Sequence, residues 1–270
     1  MQNIQLNNQQ TIPSIGFGTW MIEDKATCIA AVKKALDVGY RHIDTAQIYG
    51  NESFVGQAVK ESEISREDIF LTTKLWNDNQ SVDSVIPSLR QSLENLQTNY
   101  VDLFLVHFPV SQMRQPAWRK MEELHQLGLV KSIGVSNYTV QHLKELMAES
   151  DIKPVVNQVE LHVFLQQPEL VEYCQENNIV LEAYSPLAHG NKLDNELLVS
   201  LASKCSKSSA QIMLRWCIQQ GFVILPKSVT PERIEENFEI FDFELDKKEM
   251  AHLRTLDINY RTCWDPTNVA

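Results

Sequence analysis

Four polar residues stand where short apolar runs end: Asp44 after Arg-His-Ile, Lys74 after Ile-Phe-Leu-Thr-Thr, His107 after Asp-Leu-Phe-Leu-Val, and Lys227 after Phe-Val-Ile-Leu-Pro. Tyr49 lies just past Asp44. The first three and Tyr49 are an acid, an ammonium, an imidazole and a phenol. A free tyrosine has a pKa near ~10 and gives up its proton poorly at neutral pH. A lysine cation nearby stabilises the phenolate and lowers that pKa. Held in a pocket, the lysine needs a carboxylate to stay charged, and Asp44 can supply it. His107 can donate a hydrogen bond to a substrate carbonyl and orient it. The set suits proton delivery to a developing alkoxide. No member is a good covalent nucleophile and no metal cage is evident: His42-x-Asp44 is not a two-histidine motif, and no His-Glu-x-x-His occurs. Protonating an alkoxide calls for a hydride source, so a nicotinamide site is expected. Taken singly, each residue is more often structural, a turn cap or a solvated cation. The reading rests on the set.

Residues so far apart in sequence meet in one pocket if the strands that carry them are parallel and open on one face, as in a (β/α)₈ barrel. The apolar pattern predicts eight short strands, at 15–19, 42–45, 69–73, 103–107, 132–135, 155–159, 180–184 and 222–225. They are apolar on both sides, as strands covered by helices must be. Helical periodicity predicts helices over 25–38, 52–61, 82–96, 117–127, 140–148, 168–177 and 211–220, with another opening at Thr230-Pro231. In the first, Ala26, Ile29, Ala30, Lys33 and Leu36 are expected to form the inward face, and in the second Val55 and Val59. Two further helices, 196–205 and 247–256, break the alternation and read as additions. Residues 4–12 read as a hairpin ended by Pro13. The expected fold is a single α/β domain over 1–270: a TIM barrel with an N-terminal β-hairpin and two extra helices. A doubly wound open sheet would want Gly-x-Gly-x-x-Gly after the first strand. Gly16-Phe17-Gly18 lacks the third glycine and reads instead as a backbone kink near a ligand-facing strand end.

The chain has 270 residues, 43% hydrophobic and 22% charged, enough for a large core. A net charge of −11 argues against nucleic-acid binding through bulk electrostatics. Cys28, Cys174, Cys205, Cys217 and Cys263 form no Cys-x-x-Cys pair and read as reduced thiols of a cytoplasmic protein. No secretory signal is visible in the opening residues, and no apolar run approaches the ~20 residues that span a bilayer. The acidic surface leans towards a monomer without membrane or nucleic-acid partners.

A local cationic site on an acidic chain is more telling than the total. Lys227 and Ser228 end the last strand, Thr230 reads as a helix N-cap followed by Pro231, and Arg233 lies one turn in. Free N–H groups at a helix start favour anions. The cluster suits a 2′-phosphate, hence NADP rather than NAD. The competing reading pairs these cations with Glu232, Glu235 or Glu236.

Several runs carry a resemblance to a known family: GYRHIDTAQIYGNE at 39–52, TTKLW at 72–76, GVSN at 134–137, NQVE at 157–160, YSPL at 184–187, PKS at 226–228 and ERIEEN at 232–237. They span almost the whole chain in order. The sequence resembles the aldo-keto reductase superfamily, and its short loops resemble the bacterial 2,5-diketo-D-gluconate-reductase-like members. The resemblance implies NADPH-dependent reduction of small aldehydes, α-keto carbonyls or keto-sugars. Tyr49 would be the proton donor, Lys74 and Asp44 would tune it, and His107 would orient the substrate. Tyr184 would stack on the nicotinamide, and Ser136, Asn137 and Gln158 would bind its carboxamide. Asn237 and Glu236 would face the adenine. Gly18, Thr19, Trp20, Asp44, Ser185, Leu187 and Pro226 would also touch NADPH or NADP⁺, beside Lys227, Ser228 and Arg233. Trp20, Tyr49, Trp76, His107 and Phe108 would bind the carbonyl substrate. Trp76 could equally be a rim residue that packs loops together. Relatives commonly carry Trp where this chain has Phe108, so an indole N–H is lost. Trp264 would either reach the site or anchor the tail. The alternative reading is a nicotinamide-sensing regulatory subunit with little turnover, against which the lack of an N-terminal extension argues. A barrel hydrolase or isomerase without nicotinamide is a further alternative.

Overall fold

The computed structural model describes residues 2–269. β1 (Asn3–Gln5) and β2 (Thr11–Pro13) pair antiparallel, with Ile4 opposite Ile12. Then follow β3 (Phe17–Gly18), α1 (Lys25–Val38), β4 (His42–Asp44), α2 (Glu52–Glu61), β5 (Phe70–Leu75), α3 (Val85–Asn95), β6 (Val101–Val106), α4 (Arg114–Gln126) and β7 (Val130–Ser136). The second half runs α5 (Val140–Ala148), β8 (Val156–Glu160), α6 (Pro168–Glu176), β9 (Val180–Tyr184), α7 (Glu196–Cys205), α8 (Ser209–Gln219), β10 (Val223–Leu225), α9 (Pro231–Phe238) and α10 (Lys247–Arg254). Strands β3 to β10 form one parallel sheet in chain order. A parallel bridge from Ile15 to Ile224 joins its two edges, with Gly16 N donating to Ile224 O at 2.8 Å. The result is the expected TIM barrel, with α7 and α10 as the helices outside the alternation.

Residues two apart on a strand face the same side. On β6, Leu103 and Leu105 face inward and pack with Val156, Val223 and the hairpin's Leu6 and Ile12. The hairpin therefore plugs the N-terminal end of the barrel. Phe104 and Val106, from the opposite face, join the larger core beneath the helices. Gly16 and Gly134 make room inside the barrel. A methyl group on Gly16 would lie 2.6 Å from His42 Nδ1, and one on Gly134 would lie 2.8 Å from Val156 O. The Gly16-x-Gly18 pattern thus marks close packing at the seam.

Boundaries differ from the sequence pattern in places. β3 shrinks to Phe17–Gly18 because the preceding residues serve the closing seam. α3 starts at Val85, since Val82 lies in an exposed turn closed by Ser84 N donating to Ser81 O at 2.9 Å. α4 begins earlier than expected, at Arg114. α1 buries Cys28, Ala31, Val32, Ala35 and Leu36; of the expected arc, Leu36 is buried and Ile29 packs half-buried against the core, while Ala26 and Ala30 are exposed. Both arcs satisfy the 3.6-residue period, and only the neighbours select one. Val55 and Val59 of α2 are buried as expected.

Above the apolar plug the interior turns polar. His42 Nε2 lies 2.9 Å from Thr72 Oγ1 and 3.6 Å from the Glu182 carboxyl, all three residues fully buried. Burial, reinforced by Lys74, pushes the His42 imidazole down to about 3, so the ring is neutral. Burial, reinforced by Asp44, pushes the Glu182 carboxyl from 4.5 up to about 8. Its proton is held more tightly in the folded chain than in the unfolded one. That group's contribution is full below about 4.5 and declines as pH rises towards about 8. Glu182→Gln is therefore predicted to flatten the loss of stability between those two pH values, gaining on wild type as pH rises. Thermal midpoints across that range check it; parallel curves for the two proteins would refute the buried neutral acid.

Candidate active site

The C-terminal strand ends surround a cleft of about 1320 Å³. Asp44 ends β4, and the short 3₁₀ turn Gln47–Tyr49 folds the phenol back over the barrel mouth. Gly50 closes that turn at φ 66°, a left-handed conformation that suits a residue without Cβ. Two side chains fix the turn. Buried Asn51 accepts from Thr45 Oγ1 at 2.7 Å and donates to Thr19 O at 2.9 Å. Gln47 Oε1 accepts from Trp76 N at 2.8 Å.

Lys74 points inward from β5, one strand away. Its Nζ donates to Asp44 Oδ1 at 2.6 Å, to Thr45 O at 3.0 Å and to Tyr49 OH at 3.3 Å. Burial opposes the charge on Lys74, but Asp44 and Tyr49 outweigh it and raise its pKa. Lys74 is thus a buried cation in an ion pair. Burial also holds the Asp44 carboxyl above its usual range, against the pull of Lys74 and a hydrogen bond from Gln158.

The expectation that Lys74 makes Tyr49 more acidic than a free tyrosine needs correction. Burial raises the phenol most, Lys74 lowers it, Asp44 raises it, and the net direction is upward. Tyr49 therefore stays protonated at neutral pH. What Lys74 offers is a partner for the phenolate left behind if the proton departs.

His107 follows β6, its ring 5.8 Å from that of Tyr49 and 5.2 Å from that of Trp76. Burial, with help from Lys74, pushes it well below its usual pKa, so the ring is neutral. Among the described residues Nδ1 is buried without a hydrogen-bond partner. An unmet acceptor there costs less than an unmet N–H, so the proton belongs on Nε2, the nitrogen left to donate.

The far wall is a linked polar floor. Ser136 Oγ donates to Gln158 O at 2.9 Å, and Asn137 Nδ2 donates to Ser136 Oγ at 3.1 Å and to His107 O at 3.0 Å. Tyr184 OH donates to Asn137 Oδ1 at 2.7 Å. Gln158 Nε2 donates to Asp44 Oδ2 at 2.9 Å and to Glu182 Oε2 at 2.5 Å. With both N–H bonds used, its carbonyl oxygen remains available to accept. This floor, with Gly18, Trp20, Ser185 and Leu187, lines the cleft.

Pro226, Lys227, Ser228, Arg233, Glu236 and Asn237 line the cleft's other end. Lys227 and Arg233 are exposed, and among the described residues neither side chain has a hydrogen bond or ion pair. Glu235 pairs with Lys34 instead. The reading that paired these cations with nearby glutamates is thus not what the chain does. Thr230 stands at the N-cap position but its side chain does not cap; Ser228 Oγ accepts from Thr230 N at 3.1 Å instead. Unpaired cations, a hydroxyl and a helix start facing the cleft suit a phosphate.

Thr19, expected to touch a coenzyme, does not line the cleft. It is buried, and its Oγ1 donates to Asp44 O at 2.9 Å. Lys74 also sits beneath the cleft, reaching it through Tyr49. Trp76 and Phe108 line the cleft and meet Trp264 of the tail, at ring distances of 6.3 and 6.1 Å. Trp264 thus reaches the site. Sequence reasoning missed Ile48, His189, Leu193, Thr262 and Cys263 in the lining, and Glu182 beneath it. The loop and tail residues carry no periodic signal, since tertiary contacts alone bring them there. Glu182 had one: a lone acid in an otherwise apolar strand.

Comparison with known proteins shows which family the chain belongs to. A family model described as "Aldo/keto reductase family" matches residues 14–258. The chain is 44% identical over 263 residues to glyoxal reductase of Bacillus subtilis, covering 97% of this chain and 95% of that protein. It is 44% identical over 267 residues to methylglyoxal reductase DkgA of Escherichia coli, covering 97% and 96%. Its fold superposes with a TM-score of 0.96 on an aldo-keto reductase from a deep-sea metagenome library, 45% identical with 99% of each chain covered. With a Bombyx mori aldo-keto reductase solved in complex with NADP the TM-score is 0.92, at 38% identity, covering 96% of this chain and 94% of that one. The chain therefore belongs to the aldo/keto reductase family and is an oxidoreductase.

Proposed function

We propose that this protein reduces small aldehydes, α-keto carbonyls or keto-sugars to alcohols with NADPH, Tyr49 giving the proton. The observation that carries the reading is the phenol held 3.3 Å from a buried ammonium that is itself fixed by a carboxylate at 2.6 Å. NADPH, when bound, supplies the hydride that goes to the carbonyl carbon. The chain's residues then have separate tasks. Tyr49 donates its proton to the carbonyl oxygen, and Lys74 stabilises the phenolate left behind. Neutral His107 donates from Nε2 to the same oxygen and orients the carbonyl. Asp44 keeps Lys74 charged. Ser136, Asn137 and Gln158 offer hydroxyl, amide and carbonyl groups suited to a carboxamide, and the Tyr184 ring offers a face for a pyridine. Lys227, Ser228 and Arg233 suit the 2′-phosphate that distinguishes NADPH from NADH.

Support for the substrate class comes from the pocket and from the relatives. Trp20, Trp76, Phe108 and Trp264 make an aromatic wall that excludes water and accepts apolar or sugar-like faces. Phe108 offers no N–H, so hydrogen bonding to the carbonyl falls to Tyr49 and His107. Two relatives carry the names glyoxal reductase and methylglyoxal reductase. NADPH oxidation with methylglyoxal or a nitrobenzaldehyde is the direct assay.

Tyr49→Phe is predicted to lower kcat at least ~10²-fold, the usual scale for a lost general acid, while NADPH affinity stays within about twofold. Parallel loss of turnover and NADPH binding would remove the assigned role. Arg233→Ala is predicted to weaken NADPH about tenfold or more and NADH hardly at all, as one charge-assisted phosphate contact would. An equal effect on both coenzymes would take Arg233 out of the phosphate site.

A further inference from the structure

Glu160 closes β8 and is fully buried, yet it does not line the cleft. Its carboxylate gathers donors from the C-terminal tail, more than a hundred residues on. Thr262 N and Thr262 Oγ1 donate to Oε1 at 2.7 and 2.6 Å, and Cys263 N donates to Oε2 at 3.0 Å. His162 Nε2 lies 3.1 Å from Oε1; among the described residues His162 Nδ1 is buried without a partner, which places the ring proton on Nε2 as a donor. Arg261 approaches to 4.0 Å. Consecutive backbone N–H groups converging on one carboxylate form an anion-binding concavity. Burial raises the Glu160 pKa, but the bonds from His162, Thr262 and Cys263 outweigh it and the net direction is downward, so the group is an anion.

The tail leads from this clamp directly to the cleft. Thr262, Cys263 and Trp264 all line it. Cys263 Sγ lies 3.5 Å from both Ser185 Oγ and His189 Nε2. Trp264 is 66% exposed, its indole touching the rings of Trp76 and Phe108 on one side. An indole so little enclosed does not hold its own backbone in place. Its position is set by the chain on either side: the two clamped residues before it and, after it, buried Pro266 and then Val269, whose carbonyl lies 2.8 Å from His142 Nε2.

We propose that Glu160 is a specificity-determining positioning residue: it clamps residues 262–263 so that Trp264 completes the aromatic wall of the carbonyl pocket beside Trp76 and Phe108. Substrates large enough to touch that wall, such as aromatic aldehydes, depend on the clamp. A carbonyl as small as methylglyoxal does not. This rests on the carbonyl-reductase reading of the cleft.

Glu160→Gln tests it, because an amide of the same shape replaces one acceptor oxygen with an NH₂ that faces a donor. In the full-length variant the KM for 4-nitrobenzaldehyde is expected to rise about tenfold, the size of one lost aromatic contact. KM and kcat for methylglyoxal, and NADPH affinity, stay within about twofold. Hydrogen exchange at the Thr262 and Cys263 amides accelerates. Thr262→Val, which removes one donor, shifts the aromatic KM and the exchange in the same direction but less. Trp264→Ala reproduces the aromatic KM rise without faster exchange at residues 262 and 263. Equal KM changes for the two aldehydes, or unchanged amide exchange in both clamp variants, would overturn the proposal. If Glu160→Gln does not fold, Thr262→Val decides alone by the same two readouts. If wild type reduced neither aldehyde, the carbonyl-reductase reading and the specificity role would both fall, while amide exchange would still judge the clamp.

Discussion

A lysine ammonium buried inside a protein cannot stand alone, and the ion pair of Lys74 with Asp44 is the constraint around which this barrel's mouth is built. Desolvating either charge singly would cost several kcal/mol. The fold meets that demand by register. Asp44 lies beside Thr72 on the adjacent strand, so Lys74, two residues on, faces the same interior one step nearer the mouth. A third donor direction on Nζ is left for Tyr49. The pair therefore sets where the phenol can sit. It also stays positive towards anything negative that forms on the phenol's oxygen.

Burial has a second consequence, because the same environment acts on every titratable group nearby in the direction of neutrality. His42 and His107 are driven to the uncharged ring, and Glu182 and Tyr49 to the protonated form. Around the Lys74–Asp44 ion pair the interior thus places neutral His42, His107, Glu182 and Tyr49. In the proposed mechanism that division matters. Tyr49 and His107 are both hydrogen-bond donors at neutral pH, and Lys74 waits with its charge for the phenolate. Gln158 ties the layers together, since its amide nitrogen touches both Asp44 and Glu182.

Much of this was legible in the sequence, for identifiable reasons. Strand-ending Asp44, Lys74 and His107 are inward residues at the C-terminal rim, where a parallel barrel gathers side chains. Lys227 and Arg233 stood out as cations around a helix start. What could not be read depends on distance in the chain. The hand of α1's buried face was ambiguous between two arcs until its neighbours chose. The seam at Ile15 and Ile224 joins the first and last strand regions of the chain. The tail's arrival at Glu160 leaves no periodic trace. Nor could residue types alone balance burial against Lys74 at Tyr49, because the sequence shows the cation but not how dry the phenol is.

The central claim is that the Tyr49 hydroxyl is a protonated donor at neutral pH, buried against a cation that stabilises its conjugate base. Carbon-13 NMR of protein labelled at tyrosine Cζ measures this directly, with the resonance assigned by its loss in Tyr49→Phe. The account predicts that the Tyr49 signal shows no ionisation up to the ordinary tyrosine value near ~10. A Tyr49 signal that titrates below neutral-to-mildly-basic pH, well under that value, would contradict it.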